Sequence, residues 1–414
     1  MDRVAKKLKH LKKHFGFKNN ELGEIEKMYR GEFFDPCDTA YLRLIDLSAA
    51  LCKEYSEING KMGKNPSIFK ILKAYFRKNR ILELLFPIHG TFSGVGENLS
   101  VVIGLVDFLG CGFTNRAVEF SKYSLVECEN YSIFATKIKV GSSQPIKSGN
   151  KIKLTRVYIE HDAWICAGVK IEGDLRIGTN SVLGAGAYVT HNIPPYSLAI
   201  GAPARVIRKI TEKDSILRNL DTGVGENLEL RSILSELGYK HLPKSYIQMY
   251  EGKPFNSTGL RLGFMFIYTH RLCSELNSAD ISNERREEIL NVLLPNHGKG
   301  LTVGKDFFVD MLGMTSVGEN VKIGNSVYIS GPVTIESGAE IGDDTLMFST
   351  GHSLISKERR VGFSPKHLMY EYSVSKPIKV NQNVKIGAHS VIVPGSCVLD
   401  SIPSNSIFVK DKVI

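Results

Sequence analysis

Val317-Gly318-Glu319-Asn320-Val321-Lys322-Ile323-Gly324-Asn325-Ser326-Val327-Tyr328-Ile329 opens the stretch that decides the fold. Every sixth residue onward is apolar (Val317, Ile323, Ile329, Ile335, Ile341, Met347), and most of the residues that follow them are small or turn-forming (Gly318, Gly324, Ser330, Gly342). A period of six suits neither a helix of 3.6 residues per turn nor the two-residue alternation of a strand. It requires short strands separated by regular corners, with the apolar residues stacked in an interior column and Gly, Asn or Asp at the bends. The register stops at Ser349-Thr350-Gly351-His352-Ser353-Leu354 and resumes at Val380, Ile386, Ile392 and Val398. A long loop therefore leaves the solenoid beside a histidine.

The same period recurs earlier, at Ile159, Ile165, Ile171, Ile177, Leu183 and Val189, with weak beginnings at Val95 and Val101. Between Phe108 and Lys153 the register reads poorly, which predicts a degraded or looped part of this first solenoid. Each solenoid follows a helical stretch. Leu42, Ile45, Ala49, Cys52 and Tyr55 fall at helical steps, a second helix is predicted over Ile68 to Leu85, and 211–300 is again helical.

These helical stretches echo one another. Met28-Tyr29-Arg30-Gly31-Glu32-Phe33-Phe34-Asp35 returns as Met249-Tyr250-Glu251-Gly252-Lys253-Pro254-Phe255-Asn256, and Phe86-Pro87-Ile88-His89-Gly90 as Leu294-Pro295-Asn296-His297-Gly298. Two echoes in one order, each followed by the six-residue register, make the chain an internal duplication. The expected organisation is a basic N-terminal helix (1–20), helical cap 1 (21–93), solenoid 1 (94–210), linker and cap 2 (211–300) and solenoid 2 (301–414). His89 and His297 each read as structural, in a Pro-x-His-Gly turn that ends a helix.

With 414 residues and 43% hydrophobic content the chain can bury sizeable cores. No apolar run of about 18 residues predicts a transmembrane helix, and the N-terminus lacks the apolar segment of a secretory signal. Seven cysteines, an odd number without a CxxC pair, read as reduced thiols of a cytoplasmic protein. The formal charge of +10 is concentrated early, where Arg3, Lys6, Lys7, Lys9, Lys12, Lys13 and Lys18 alternate with Val4, Leu8, Leu11 and Phe15. That helix either packs on the protein or rests on an acidic membrane surface. No recurring basic and aromatic motif speaks for nucleic acid.

Together these features resemble the hexapeptide-repeat acyltransferases, and within them the maltose and galactoside O-acetyltransferase group, in two copies. The likeness rests on Lys27-Met28-Tyr29-Arg30-Gly31-Glu32-Phe33-Phe34-Asp35-Pro36, on the run from His161-Asp162-Ala163-Trp164-Ile165 through Leu183-Gly184-Ala185-Gly186-Ala187 to Gly201-Ala202-Pro203-Ala204-Arg205, and on Ser349-Thr350-Gly351-His352 with Glu358-Arg359-Arg360. The resemblance implies a mainly β protein of two tandem left-handed parallel β-helix domains, each preceded by an α-helical cap. It also implies a homotrimer and an acetyl-CoA site between neighbouring prisms.

The implied reaction, acetyl transfer from a thioester to a hydroxyl, needs a base for the hydroxyl proton and a donor for the developing oxyanion. His352 fits the base. In the first half the corresponding segment reads Gly141-Ser142-Ser143-Gln144, and glutamine cannot serve as a base. The expected CoA residues are Lys385, Gly387, Ala388, Lys410 and Lys412 in the second half and Trp164, Ala185, Thr190 and Arg205 in the first. Asn325, Ser330, Arg359 and Arg360 are the expected acceptor-side residues. The second half departs from the family pattern, with Lys385 for a tryptophan and Phe408-Val409-Lys410-Asp411-Lys412 for Gly-x-Pro-Ala-Arg. No metal is expected: His161, His191 and His389 read as exposed corner residues, although three histidines could form an inter-subunit metal site as in hexapeptide-repeat carbonic anhydrases. The expectation is an acetyl-CoA-dependent O-acetyltransferase of a sugar, plausibly a surface polysaccharide or its precursor, in the cytoplasm or at the inner membrane face. An N-acyltransferase of an amino sugar and a non-catalytic scaffold are the alternatives.

Overall fold

The computed structural model describes all residues except 1, 59–67, 88–91, 96–98, 110–111, 115–116, 130–131, 217–241, 258–259, 360–361, 365–366, 370–371, 410–411 and 414. His89, Arg360 and Lys410 lie outside the described residues. The chain divides into two units, Met1–Ile210 and Thr211–Ile414. Each is a parallel β-helix preceded by helices.

In the second unit, three sheets form the faces of the solenoid. They run Thr302–Val303, Lys322–Ile323, Glu340–Ile341, Lys385–Ile386; then Phe308–Val309, Tyr328–Ser330, Leu346–Phe348, Val391–Ile392; then Thr315–Val317, Val333–Ile335, Ile378–Val380, Cys397–Val398. All these pairs are parallel and in register, so Ile329 lies over Val309 and under Met347. The column read from the sequence is the core: Val317, Ile323, Ile329, Ile335, Ile341, Met347, Val380, Ile386, Ile392 and Val398 are all buried. Corners take the left-handed backbone that the column requires, at Asp306, Asn320, Ser326, Asp344, Asn383 and His389. Glycine enters where coils touch, since a Cβ on Gly342 would stand 2.5 Å from the Ala388 nitrogen.

The first unit repeats the plan with sheets through Val106–Phe108, Ser124–Cys128, Thr155–Ile159 and Leu175–Ile177, and through Val118–Phe120, Ile138–Val140, Lys170–Ile171 and Tyr188–Val189. The third face includes Ser132–Phe134, Trp164–Ile165 and Val182–Leu183. Of the expected degraded or looped segment between Phe108 and Lys153, the loop is present as the hairpin Ile146–Ser148, Lys151–Lys153, whereas the part before it is not degraded and forms coils paired strand by strand with those that follow. The register escapes a search for aliphatic residues because the column there is aromatic. Phe108, Phe120 and Phe134 are buried edge to face, with centroids 5.8–6.4 Å apart.

The duplication extends into the packing of cap on solenoid. On helix Thr39–Glu57, Ser48 Oγ accepts the Ile103 N–H and Cys52 Sγ donates to Val101 O. On helix Leu260–Leu276, Thr269 Oγ1 accepts the Leu312 N–H and Cys273 Sγ donates to Val309 O. Gly104 and Gly313, both at positive φ, donate to the carbonyls of Leu85 and Leu293. Each cap thus uses a hydroxyl and a thiol one helical turn apart to bind the top of its solenoid. His297 is held by Asn291, 2.8 Å from Nε2, and makes a parallel bridge to Val317, a structural setting for that histidine.

The N-terminal helix Arg3–Phe15 turns Lys7 and Leu11 inward and rests Val4, Leu8 and Phe15 on the first unit's core. Its apolar face is therefore occupied, and Lys6, Lys9, Lys12 and Lys13 form the exposed face. Lys7 pairs with Asp107 at 2.9 Å, both fully enclosed, and burial raises the Asp107 carboxyl above the ordinary carboxylate range despite that partner.

Candidate active site

The site starts where the column ends. After Leu346–Phe348, Ser349 donates from both N–H and Oγ to Ser330 O (2.9 and 2.8 Å), while Ser330 Oγ bonds Thr350 Oγ1 at 2.5 Å. These bonds turn the chain out of the coil. Gly331, at φ +75°, leaves room for Ser349 Oγ where a side chain would collide. Thr350–His352 then pairs antiparallel with Tyr372–Ser375, which pairs with Phe255–Asn256 from the cap. His352 lies opposite Ser373, half-buried, with Nδ1 3.2 Å from Ser373 Oγ.

The residues after His352 form a buried polar knot. Ser353 Oγ donates to Glu358 Oε2 at 2.5 Å and accepts from Ile355 N–H at 3.0 Å. Glu358 also accepts from Ile216 N–H at 3.0 Å and from Ser215 Oγ. The Arg359 guanidinium donates to the carbonyls of Ser353 and Leu354 at 3.0 and 2.6 Å. Ser353 is 0%, Arg359 1% and Glu358 8% exposed, so this knot fixes the exit from the histidine in a dry setting.

Of the expected acceptor-side residues, Arg359 and Ser330 are corrected because they are enclosed, whereas Asn325 is exposed. Arg359 is engaged by its own turn and enclosed; Ser330 is 3% exposed and bonded to Thr350. Asn325 spends its polar groups joining coils, accepting from Lys305 N–H (2.9 Å) while its own N–H donates to Asp343 (2.7 Å).

The first unit has the same three-stranded device with different chemistry. Phe34, the counterpart of Phe255, bridges to Ile152, and Ile152 lies opposite Lys147 in the hairpin Ile146–Ser148, Lys151–Lys153. Sheet register thus sets Lys147 where the second unit has His352, and Ile152 where it has Ser373. This corrects the alignment of Gln144 with the histidine: in the first unit more residues separate the solenoid strand from the hairpin, so counting from the strand stops short. The absence of an imidazole from that position stands. Next to Gln144, Ser143 and Tyr188 both bond Glu172, holding its carboxyl below the usual range.

Lys385, Gly387 and Ala388 do converge. They line a groove on the second unit with Gly324, Gly342 and Ser404. Glu340 sits between Lys322 (3.1 Å) and Lys385 (3.2 Å), whose ammonium groups lower its pKa. Lys412 stands exposed in another sheet, antiparallel to Ile407–Val409. The groove and His352 belong to different faces of the solenoid, since His352 departs from the end of Leu346–Phe348. In the first unit Thr190 and Arg205 are exposed, and Trp164 is buried between Ile133 and Val182 on neighbouring strands. Sequence reasoning missed Ser373, and it quoted Ser353 and Glu358 within the motif around His352 without giving them a role. Glu358 adjoins the Arg359-Arg360 pair, but nothing local predicts that its carboxylate turns back to Ser353.

Among the described residues no group of His, Cys, Asp and Glu is arranged to hold a metal, and no helix is long and apolar enough to cross a membrane. His389 adopts φ +58° and faces Asp344, while Asp162 beside His161 takes φ +60°.

Residues 156–191, within the first unit's coils, match the family described as bacterial transferase hexapeptide (six repeats). The galactoside O-acetyltransferase of Lactococcus lactis is 49% identical over 59 residues, 14% of this chain and 28% of that protein. That of Escherichia coli is 47% identical over 58 residues, 14% of this chain and 29% of its own length. The chain thus spans less than a third of the length of these curated relatives. Among solved structures, the likeness to a maltose O-acetyltransferase from Clostridium difficile 630 covers 46% of this chain and 98% of that one at 25% identity, with a TM-score of 0.38.

Proposed function

We propose that this hexapeptide-repeat protein is an acetyl-CoA-dependent O-acetyltransferase acting on a sugar hydroxyl, with His352 of the second unit as general base. The observation that carries the reading is the hydrogen-bonded turn that takes His352 out of the apolar column and holds its Nδ1 against Ser373. In this reading the imidazole takes the hydroxyl proton while the alcohol oxygen attacks the thioester carbonyl. Collapse of the tetrahedral adduct expels CoA thiolate, which takes up a proton, and leaves an acetyl ester. Acetyl-CoA would lie along the groove of Lys322, Lys385, Gly387 and Ala388, its phosphates drawing the lysines from Glu340.

Because groove and histidine occupy different faces, a single solenoid does not complete the site. A homotrimer, in which one copy's groove meets its neighbour's His352, supplies the missing juxtaposition. The first unit, with Lys147 in the histidine's place, is a non-catalytic copy. The acceptor would be a surface polysaccharide or its precursor, modified in the cytoplasm at the inner membrane face. The exposed Lys6, Lys9, Lys12 and Lys13, and the absence of a disulfide among the described cysteines, support that setting.

Thiol release from acetyl-CoA, measured over a panel of sugars and amino sugars with wild type and His352→Ala, tests the reading. Sugar-dependent release lost in the variant supports it. Equal release by both removes His352 from the mechanism, and neither release nor CoA binding favours a scaffold.

A further inference from the structure

A cavity of about 390 Å³ lies in the first unit, between the N-terminal helix Arg3–Phe15, the cap helix Gly23–Arg30 and the outer face of the sheet that carries Val106–Phe108 and Ser124–Cys128. Its volume is at the low end of the roughly 300–1,000 Å³ of small-molecule sites, enough for a monosaccharide-sized solute. Arg3, Lys7, Arg30 and Arg156 line it. Three of these cations have carboxylate partners: Glu127 for Arg3 (2.7 Å), Asp107 for Lys7 (2.9 Å), and Glu26 and Asp2 for Arg30 (2.8 and 3.5 Å). The exposed Arg156 guanidinium has none among the described residues, and donates only to Arg30 O at 2.8 Å. Gly31 makes that reach possible, since a Cβ there would stand 2.7 Å from Arg156 Nη2.

The inner end of the cavity is polar and enclosed. Lys7 and Asp107 are 4% and 3% exposed, and although close they are not aligned for a hydrogen bond, so Asp107 Oδ1 is a buried acceptor without one among the described residues. Buried acceptors in folded proteins are hydrogen-bonded, and Oδ1 therefore calls for a donor from the cavity side. The solenoid itself does not demand these charges. Counted from Gly104 and Gly313, which bind the caps alike, the second unit has Ser316 for Asp107, Thr334 for Glu127 and Pro377 for Arg156, and Gly252 packs on Pro377 as Gly31 does on Arg156. At those three positions only the first unit is charged.

We propose that this cavity binds a small sugar phosphate, its phosphate on Arg156 and Arg30 at the mouth and its hydroxyls donating to Asp107 and Glu127 within. Guanidinium forks match phosphate oxygens, and carboxylates accept from hydroxyls. A bare anion would face the carboxylates of Glu32, Asp107 and Glu127, and a neutral sugar would leave Arg156 unmatched, whereas a ligand with an anion at one end and hydroxyls at the other satisfies both. The site is independent of acyl transfer and gives the unit without an imidazole a ligand of its own.

Calorimetric titration of the full chain with glucose 6-phosphate, glucose and inorganic phosphate tests this without turnover. Wild type should bind the ester more tightly than either of its parts. Arg156→Gln, a change at an exposed residue, should weaken the ester about 10- to 100-fold, the worth of one charge-assisted hydrogen bond. Lys9→Gln removes the same charge from the exposed face of the N-terminal helix and should bind as wild type does. Lys7→Met with Asp107→Leu, which exchanges the buried pair for apolar groups, should lose the ester while keeping the fold. No binding of the ester, an affinity for glucose or inorganic phosphate equal to that for the ester, or equal affinity in wild type and Arg156→Gln overturns the proposal. Equal weakening by Lys9→Gln would mark attraction to the net charge and overturn it as well.

Discussion

Glu358→Ala would remove one carboxylate from the knot behind His352. The carboxylate accepts from Ser353 Oγ, Ile216 N–H and Ser215 Oγ. Ser215 and Ile216 are half-buried and can turn to water, so their loss is largely recovered. Ser353 is 0% exposed and cannot; an orphaned buried donor costs about 1–3 kcal/mol. That cost is below the roughly 5–15 kcal/mol that holds a domain together, so the unit should remain folded with a lowered melting temperature. The greater effect falls on the histidine. A displacement of about 1 Å at a reacting group costs about 100-fold in rate, so thiol release should fall by about that factor. Glu358→Gln, which keeps the volume and one acceptor oxygen, should lie between. Wild-type turnover and wild-type melting in Glu358→Ala would refute the reasoning.

Three other outcomes follow from the same geometry. In a His352→Ala background, Lys147→His with Ile152→Ser should rebuild the cross-strand His–Ser contact in the first unit, whereas Gln144→His should not; the imidazole signals of histidine NMR decide between them. Asp107→Ala strands buried Lys7 and should destabilise the first unit by about 3–5 kcal/mol, while Lys7→Met with Asp107→Leu should be near neutral, as denaturant melts would show. Glu160 and Glu172 titrate below the usual range. For Glu160 burial raises the pKa, but bonds from Thr179 and Arg176 outweigh it; for Glu172 the bonds come from Ser143 and Tyr188. Their stabilisation is present above the unfolded carboxylate pKa, about 4.3, and is lost as pH falls through the lowered folded values. Asp107, raised in the fold, has the opposite sign. Acid titration of stability should therefore lose its steepest part below about pH 4.3 in Glu172→Gln with Glu160→Gln.

The solenoid was legible because its core is a one-dimensional code: a six-residue period with aliphatic residues inside and Asn, Asp or Gly at the bends leaves a trace in any single sequence. Where the inside residues are Phe108, Phe120 and Phe134 the same architecture loses that trace, since the code depends on residue class rather than volume. His352 was legible as a break in the period beside a Thr-Gly pair. Its supports were not. Ser373 reaches it across a strand pairing 21 residues away, and Glu358 ties Ser353 to a segment before the cap, 143 residues from Ser215. Conversely, charge and family position marked Arg359 and Trp164 for binding although the fold encloses both.

The most direct measurement is the identity of the product. Incubation of the full-length protein with ¹³C-acetyl-CoA and the sugar panel, followed by NMR of the acceptor, should reveal an acetyl ester on a sugar oxygen, formed by wild type and Lys147→Ala and absent with His352→Ala. An amide on an amino sugar, or an ester formed equally well without the imidazole, would contradict the account.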